Sequence, residues 1–561
     1  MKKSLSWKTS KSSDPSHCCN ISRRQFVLNG AATATAFTIM PYHLLGRSGS
    51  VLPYNVESGR GIAPQETGPE IEPGPFKGTR ESLIAYKVPE WFRDAKFGIW
   101  SHWGPQSAAE YGDWYARNMY IEGSGQYKYH LQRYGHPSKF GYKDVIATWK
   151  ADKFDPEHLM DLFQKAGAKY FVSMGVHHDN FDLWNSKYQP RWNSVATGPK
   201  KDIVGMYRQA ALKRGMRFGL SQHLQISWNW MLVSHGADKT GPYAQIPYDG
   251  NDPKYEDLYF EKHDLLANPP WGRVAESSKN SPVWWQRQWF IRIKDLIDKY
   301  PPDLLYTDGM IPFEEWGLGL VAHFYNQNAK RHNGKVEAVF TSKEQKDCEI
   351  GTCVLDLERS IMDGICSNPW QTDTCIGSWH YNRPIFEERR YKSPKTVLDM
   401  LVDIVSRNGN LLLNFPLPNS GELDSEELNI LSEITKWMAI NGEGIYDTRP
   451  WKILGEGPSM TSSSTSSRNK ESSQKPLSAE DIRFTTKGKT LYAFFMGWPE
   501  KQSVIGSLAT NSKLDVGKIR NVTLLGFKGD LKWVQDENGL KVQMPSKQPC
   551  NHAFTLRITG V

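Results

Sequence analysis

The most constraining feature of this chain is an alternation of apolar strand-like runs with longer amphipathic segments, from about residue 84 to residue 452. Apolar runs between turn residues predict strands at 170–176, 216–221, 304–307, 336–340 and 409–415. Apolar residues at helical spacing predict helices at 203–214, 284–300, 394–407 and 426–440. This order favours parallel βα units, and their number favours a (β/α)8-like TIM barrel over an open sheet. No GxGxxG follows the first strand and no P-loop occurs, which disfavours a nucleotide-binding sheet.

The two flanks of this region have a different composition. Residues 51–83 are rich in Gly, Pro and Glu and predict a linker or lead-in, and residues 453–478 are rich in Ser and predict a second linker. From 479 to 561 the pattern changes to short strands separated by turn residues. We therefore expect an α/β barrel at 84–452 followed by a C-terminal antiparallel β-sandwich at 479–561.

The first 50 residues indicate export. Arg23 and Arg24 precede a mildly apolar stretch from Ala31 to Met40, an arrangement typical of a twin-arginine signal. A disordered basic tail is the alternative. The apolar stretch is shorter than the ~20 residues of a membrane span, and no later stretch of that kind occurs. We expect delivery to the periplasm or the extracellular space, with no membrane span in the mature chain; the sequence does not indicate the oligomeric state.

Charge and cysteine content limit the other classes of function. The net charge of +8 is dispersed without a Lys/Arg block, so we do not expect a nucleic-acid partner. The 21 Trp suit a carbohydrate site and a Trp-rich core equally. The cysteines beyond the signal segment are Cys348, Cys353, Cys366, Cys375 and Cys550. They favour one or two loop disulfides, with a zinc site as the alternative. The paired CxxC spacing typical of zinc sites is absent, which disfavours that alternative.

Ionisable residues follow three of the predicted strands. His177, His178 and Asp179 follow 170–176, His223 follows 216–221, and Asp308 follows 304–307. A single residue of this kind is often only a cap or a turn residue. Because the carboxyl ends of barrel strands converge on one face, where active sites lie, three such positions together predict an active site.

Asp308 has the properties of a nucleophile. It follows an apolar strand and precedes Gly309, so a rigid element would aim its carboxylate into a cleft. A retaining glycosidase also needs a second carboxyl group about 5 Å away, with a raised pKa. The candidates downstream are Glu337, Glu344, Glu349 and Glu358. We favour Glu358, although Arg359 beside it could make it a structural ion-pair partner.

The paired histidines raise the question of a metal. Adjacent side chains after a strand are expected to point to opposite sides, so His177 and His178 would not share one ion. We expect no metal and no cofactor, and we interpret these histidines as hydrogen-bonding partners of a polyhydroxylated ligand.

At these residues the chain resembles the alpha-L-fucosidase family, glycoside hydrolase family 29. The resemblance runs in order over roughly residues 85–452, whereas the C-terminal part matches only as a general β-sandwich. It is carried by segments 91–104, 113–120, 177–184, 302–309, 369–373, 377–382, 409–415 and 441–451.

The resemblance implies a retaining exo-glycosidase that removes terminal alpha-L-fucosyl residues through a covalent glycosyl-aspartate, without a cofactor. The substrate would be a fucosylated oligosaccharide or polysaccharide. Asp308 would be the nucleophile, and Glu358 the acid/base. The implied sugar-binding residues are His102, Trp114, His177, His178, His223 and Tyr306.

Four positions depart from the family's usual residues. Family members often have Trp in place of Tyr306, Glu in place of Asp113, Gly in place of Asn180 and Tyr in place of His223. Two alternatives therefore remain open. One is a glycosidase of this fold for L-galactose or a sulfated fucose, and the other is a non-catalytic glycan-binding protein.

Overall fold

The computed structural model describes residues 68–263, 281–349, 351–461 and 468–561. The predicted signal segment at 1–50, residues 51–67 of the predicted lead-in and residues 462–467 of the Ser-rich segment lie outside the described residues. Within the described part, no helix has both the length and the apolar character that crossing a bilayer requires.

Eight parallel strands form the first sheet, in the order β6-β5-β4-β3-β2-β1-β9-β8. Its two edges meet at a parallel bridge between Asp356 and Gln371, which nearly closes the sheet into a barrel and confirms the predicted TIM-barrel class. The strands are β1 (Phe97–Ser101), β2 (Tyr170–Val176), β3 (Arg217–Gln222), β4 (Leu304–Thr307), β5 (Val339–Ser342), β6 (Val354–Leu355), β8 (Trp370–Cys375) and β9 (Gly409–Asn414); a short strand, β7 (Ser360–Met362), lies outside this sheet.

Helices connect the strands, and several begin at a residue whose side chain caps the first turn. Asp202, Ser393 and Asp424 each accept a hydrogen bond from a backbone N–H in the first turn of the following helix. The helices of the described residues are α1 (Arg80–Leu83), α2 (Glu90–Ala95), α3 (Tyr115–Asn118), α4 (Gly125–Arg133), α5 (Tyr142–Thr148), α6 (Pro156–Lys165), α7 (Ile203–Lys213), α8 (Ser227–Trp230), α9 (Glu256–Tyr259), α10 (Val283–Lys299), α11 (Glu315–Arg331), α12 (Gln345–Glu349), α13 (Arg383–Glu387), α14 (Pro394–Ser406) and α15 (Ser425–Asn441).

The barrel strands are buried almost throughout, because helices cover the outside and side chains fill the inside. The interior cluster includes Tyr170, Val172, Leu304 and Leu412. Trp100 and Tyr306 belong to the same cluster and also line the cavity above it. The top of the barrel core is therefore the floor of the candidate site.

The C-terminal part is an antiparallel sandwich, as predicted. A five-stranded sheet has the order β10-β12-β13-β18-β15, and a three-stranded sheet has the order β14-β17-β16. Both sheets contribute to one core, through residues such as Phe484 and Leu556 from the first and Ile505 and Val542 from the second. The strands are β10 (Arg449–Glu456), β12 (Ile482–Lys487), β13 (Thr490–Phe495), β14 (Gln502–Ile505), β15 (Asn521–Leu524), β16 (Trp533–Asp536), β17 (Gly539–Gln543) and β18 (Phe554–Thr559).

The sandwich is attached to the barrel at both ends of the predicted Ser-rich linker. Strand β10 begins at Arg449, inside the range expected for the barrel, and pairs with β12. After residues 462–467, β11 (Arg468–Lys470) pairs with β7. Asp403 of α14 forms an ion pair with the buried Arg483 of β12. The segment predicted as a linker thus carries regular structure on either side of its undescribed centre.

No disulfide joins the five cysteines of the described part to one another. The Sγ atoms of Cys348 and Cys353 lie 2.7 Å apart, and both residues are buried. Loop disulfides stay a prediction. Neither potential metal-ligating cluster among the described residues includes a cysteine.

Candidate active site

A cavity of about 190 Å³ opens at the carboxyl ends of the barrel strands. It is smaller than the ~300–1,000 Å³ typical of sites for drug-sized ligands, and its size suits one sugar ring. Its lining residues are Trp100, His102, Asp113, Trp114, His177, His223, Tyr306, Asp308, Lys343, Glu358, Asp373 and Trp379.

The backbone on both sides of Asp308 is fixed. Its N–H donates to the carbonyl of Gln222 at 3.3 Å, which continues the sheet beyond the end of β4. Gly309 follows with a φ of +120°, a conformation that is strained for residues with a Cβ. The Gly309 carbonyl accepts from the N–H of Lys343 at 2.8 Å. The end of β4 and the residue that follows β5 together hold the Asp308 carboxylate so that it points into the cavity.

Three cationic or hydrogen-bonding groups surround the Asp308 carboxylate. Lys343 Nζ lies 2.7 Å from Oδ1, while His223 Nδ1 and His178 Nε2 lie 3.2 Å and 3.4 Å from Oδ2. Burial raises the pKa of Asp308, but Lys343 and the two histidines outweigh it and hold the pKa well below its usual range. Asp308 is therefore ionised at neutral pH, as a nucleophile must be.

Lys343 also binds Glu358, with Nζ 2.6 Å from Oε2. Because this ammonium lies 2.7 Å from Asp308 Oδ1, the two carboxylate oxygens are separated by at most the sum of these distances, 5.3 Å. Retaining glycosidases have carboxyl groups about 5–5.5 Å apart, and inverting ones about 6.5–9.5 Å. This upper limit lies below the inverting range and is compatible with the retaining one.

The pKa of Glu358 shifts in the opposite direction to that of Asp308. Partial burial raises it, Lys343 lowers it, and the negative charges of Asp373 and Asp308 raise it again, with a net increase. Its side chain remains 43% exposed, so it faces the cavity mouth. Two carboxyl groups whose pKa values move apart have the properties of an acid and a nucleophile.

The other three candidate acids do not line the cavity. Glu337 precedes β5, at the opposite end of the barrel strand, and pairs with Arg217 at 3.6 Å. Glu349 accepts a hydrogen bond from the side chain of Gln345 within α12. Glu344 directly follows Lys343 in sequence but does not line the cavity. Arg359 lies 3.9 Å from Glu471, so the ion pair considered for Glu358 forms with Lys343 instead.

Two buried carboxyl groups lie below the nucleophile. Tyr306 Oη donates to Asp373 Oδ2 at 2.8 Å, and Asp373 lies 3.8 Å from Lys343 Nζ. Asp356 accepts from Gln371 Nε2 at 2.6 Å. Burial and the negative charge of the neighbouring Asp373 raise the pKa of Asp356 well above its usual value.

Four histidines form a wall that reaches the Asp308 carboxylate through His223. The ring centres of His102, His177 and His380 lie 4.6–4.9 Å apart, and His223 lies 4.7 Å from His177. The expectation that His177 and His178 point to opposite sides is wrong, since their ring centres are 4.4 Å apart. The reason is that β2 ends at Val176 after a register shift, so strict alternation no longer applies.

Neighbouring groups fix the orientation of these rings. Gln106 Nε2 lies 2.8 Å from His177 Nδ1, which leaves His177 Nε2 for the cavity. His178 Nδ1 donates to the carbonyl of His223 at 2.6 Å. Asp113 Oδ1 lies 2.6 Å from His380 Nδ1. The wall is therefore preorganised before any ligand binds.

Trp114 forms the rim of this wall. It adopts a φ of +58°, which is rare for a bulky residue and commonly marks functional sites. Its ring packs edge-on against His178 and Trp230, with centres 6.3 Å and 6.1 Å apart. The strained backbone places an aromatic surface at the cavity mouth.

Two family models match this chain. The model described as "Alpha-L-fucosidase" matches residues 64–443, more than half of the chain. The chain belongs to the alpha-L-fucosidase family. The model described as "Alpha-L-fucosidase C-terminal domain" matches residues 474–559, which contain most of the sandwich. The chain is thus a glycoside hydrolase with both parts of this family's architecture.

Individual alpha-L-fucosidases are similar over nearly the whole chain. Human tissue alpha-L-fucosidase is 29% identical over 493 residues, covering 86% of this chain and 91% of that protein. Human plasma alpha-L-fucosidase is 28% identical, covering 87% and 93%. A crystal structure of Thermotoga maritima alpha-fucosidase is 26% identical, with a TM-score of 0.62, and covers 86% of this chain and all of that one.

Seven of the eight site residues inferred from the family resemblance line the cavity, and His178 contacts the Asp308 carboxylate directly. The prediction omitted Lys343 and Asp373, which both line the cavity. Lys343 directly follows β5, so the argument used for Asp308 could have identified it. Asp373 lies on β8, within a segment noted only for its family resemblance and not predicted as a strand.

One departure from the alpha-L-fucosidase pattern has a backbone explanation. Asn180, where family members often have Gly, has a φ of +62°. Asn tolerates this conformation better than most residues with a side chain, so the turn can be kept without glycine. The side chain also donates to the carbonyl of Leu258 at 3.0 Å. This replacement alters the surroundings of the cavity but not its lining.

Proposed function

We propose that this protein is an exported retaining exo-alpha-L-fucosidase that works through a covalent intermediate on Asp308, with Glu358 as the acid/base. The observation that carries the proposal is the bridge made by Lys343. It holds oxygens of the two carboxyl groups no more than 5.3 Å apart, a limit shorter than the separation in inverting enzymes, while their pKa values shift in opposite directions.

The reaction proceeds in two displacements. An Asp308 oxygen forms a bond to the anomeric carbon as the bond from that carbon to the leaving oxygen breaks, and protonated Glu358 gives its proton to that oxygen. Glu358, now a carboxylate, then takes a proton from a water molecule whose oxygen displaces Asp308. The products are free sugar and the shortened glycan, and both carboxyl groups return to their starting states.

The shape of the cavity supports removal of a terminal 6-deoxy sugar. Trp100, Tyr306 and Trp379 form an apolar wall, with ring centres 4.8 Å and 5.5 Å from Trp100. Such a wall favours a methyl group over a hydroxymethyl group, and thus L-fucose over L-galactose. A small cavity with one open side supports exo action on chain ends.

A sulfated fucose is a weaker candidate for the cavity itself. Among the described lining residues, Lys343 is the one Lys or Arg, and two carboxylates already bind it. A sulfate would therefore have to displace one of them. No observation favours the non-catalytic alternative, because both carboxyl groups are present.

Hydrolysis of an aryl alpha-L-fucoside by wild type and variants tests the proposal. Asp308→Asn should abolish turnover. Glu358→Ala should slow it, and azide should restore the rate by attacking the glycosyl-enzyme without base assistance. Glu344→Ala and Glu349→Ala are matched controls with unchanged rates. Azide rescue of either control, or inversion at the anomeric carbon by NMR, would overturn the assignment.

Export is a separate part of the proposal, supported by Arg23, Arg24 and the apolar stretch after them. A fusion of residues 1–60 to a reporter should be exported by a bacterial host that has the twin-arginine system. Changing both arginines to lysine should block export. Unchanged export of that variant would contradict a twin-arginine route.

A further inference from the structure

Three imidazoles converge as the ligands of one transition-metal ion do, and two of them, His102 and His177, line the cavity. One ligand atom from each of His102, His177, His380 and Asp113 lies within 4.8 Å of the others. The three ring centres lie 4.6, 4.9 and 4.9 Å apart, nearly an equilateral triangle. Imidazoles on a tetrahedral ion with Zn–N near 2.0–2.1 Å have ring centres roughly 5 Å apart.

The nitrogens needed for coordination are available. Among the residues that the structure describes, both ring nitrogens of His102 and Nε2 of His380 are buried without a hydrogen-bond partner. The residues themselves are only 3% and 0% exposed, so leaving these nitrogens unpaired is costly. Gln106 Nε2 lies 2.8 Å from Nδ1 of His177, so Nε2 of His177 presents a lone pair once this amide turns and its oxygen accepts from Nδ1–H. His102 and His380 thus offer a nitrogen as they stand, and His177 offers one after this amide rotation.

Asp113 occupies the position of a supporting carboxylate. It lies 2.6 Å from His380 Nδ1, so that nitrogen carries the proton and Nε2 presents its lone pair. A carboxylate behind a histidine ligand is a common arrangement at zinc sites, and losing it weakens metal affinity by about 10–100-fold.

We infer that His102, His177 and His380 form a binding site for a divalent transition-metal ion such as Zn²⁺, and that the ion and the sugar exclude each other. The metal site rests on the histidine geometry alone, whereas its competition with the sugar rests on the proposed function. Three neutral imidazoles with one open position suit Zn²⁺, Ni²⁺ and Cu²⁺, whereas Mg²⁺ and Ca²⁺ prefer oxygen ligands. The metal acts as an inhibitor, because it occupies nitrogens that face the sugar's space.

Calorimetry with Zn²⁺ alone on the chelator-stripped protein tests this site. We expect one site in the wild type, an unchanged site in His158→Ala, whose exposed histidine lies on α6, and a roughly 10–100-fold weaker site in Asp113→Asn. His380→Gln should weaken binding further. If His380→Gln binds Zn²⁺ as wild type does while His223→Gln loses it, the ligand set is wrong.

Two readouts do not require a variant to fold. Co²⁺ added to the wild type should give the visible absorption bands of a tetrahedral or five-coordinate nitrogen site. L-fucose should displace the ion, and Zn²⁺ should raise KM without changing kcat. Zinc binding that the sugar leaves unchanged, or bands of a thiolate-ligated site from Cys348 and Cys353, would refute the inference.

Discussion

The hydroxyl of Tyr306 donates a 2.8 Å hydrogen bond to Asp373, which joins β4 to β8 across the interior of the barrel below the nucleophile. Asp373 is fully buried and lies 3.8 Å from Lys343 Nζ. This hydrogen bond thus prevents the Asp373 carboxylate from competing with Asp308 for the ammonium of Lys343.

Tyr306→Phe should lower kcat about tenfold, since the orphaned Asp373 carboxylate then draws Lys343 away from Asp308. The matched control is Tyr170→Phe, which removes a buried hydroxyl bonded to Gln371 at 2.9 Å, away from the cavity. Steady-state kinetics and thermal unfolding of both variants check this. Equal effects on kcat would show that the hydroxyl has only a structural role.

Lys343→Met should move the whole pH profile upward. The wild type needs Asp308 ionised and Glu358 protonated, so its activity is lost below the depressed pKa of Asp308 and above the raised pKa of Glu358. Lys343 lowers both pKa values, so its removal should raise each of them. The kcat/KM profile against pH measures this, with the exposed Lys346→Met as control. A profile in which only the acidic or only the alkaline limb moves would contradict the contact of Lys343 with both Asp308 and Glu358.

Gly309→Ala should lower activity more than stability. The φ of +120° strains an alanine by roughly 1–3 kcal/mol, and relaxation would displace Asp308. Gly215 has a φ of +66°, follows α7 far from the site, and has no atom within 4 Å of the place a Cβ would take. Gly215→Ala should therefore lose stability but keep kcat. Denaturant unfolding and turnover of the two variants separate these effects.

Asp356→Asn should stabilise the protein at neutral and alkaline pH. A carboxyl group whose pKa is raised on folding contributes stability below its unfolded pKa of about 3.9, and that stability is lost as pH rises through the folded pKa. Each tenfold change in the proton affinity of the carboxyl group corresponds to about 1.4 kcal/mol. The melting temperature of the variant should exceed that of wild type at pH 8 but not at pH 4. A constant difference would indicate that Asp356 is not protonated in the fold.

Aryl alpha-L-galactoside should be a poorer substrate than aryl alpha-L-fucoside by up to about 100-fold in kcat/KM. An apolar wall rejects an added hydroxyl only to this extent, because the group can still find water at the cavity mouth. Parallel assays of the two substrates measure the ratio. A ratio near one or an inverted ratio would favour L-galactose as the natural sugar.

The barrel was predictable from sequence because its strands are buried on both faces and its helices carry clear caps. The predicted strand at 170–176 agrees with β2, and the predicted helix at 394–407 ends one residue beyond α14. Strand β6 was not predictable in this way, since Val354 and Leu355 are too short a run to show a period. Its role is evident only from its partners in the sheet.

The site was only partly predictable, for a related reason. A strand followed by a polar residue identifies Asp308, but the acid that faces it comes from a loop with no regular pattern. Among four glutamates of similar sequence position, the choice depends on which one Lys343 binds. Contacts between chain segments far apart in sequence decide that, and they leave no local signal.

The pairing of β7 with β11 connects the acid to a distant part of the chain. Glu358 lies two residues before β7, and the N–H of Glu471, just after β11, donates to the carbonyl of Arg359 at 2.8 Å. The segment formed by β11 and Glu471 therefore stabilises the loop that carries the proton donor Glu358. A shortened protein ending at residue 448 would retain Asp308 and the histidine wall. It would lose the pairing of β7 with β11, which holds Glu358 close to the leaving group.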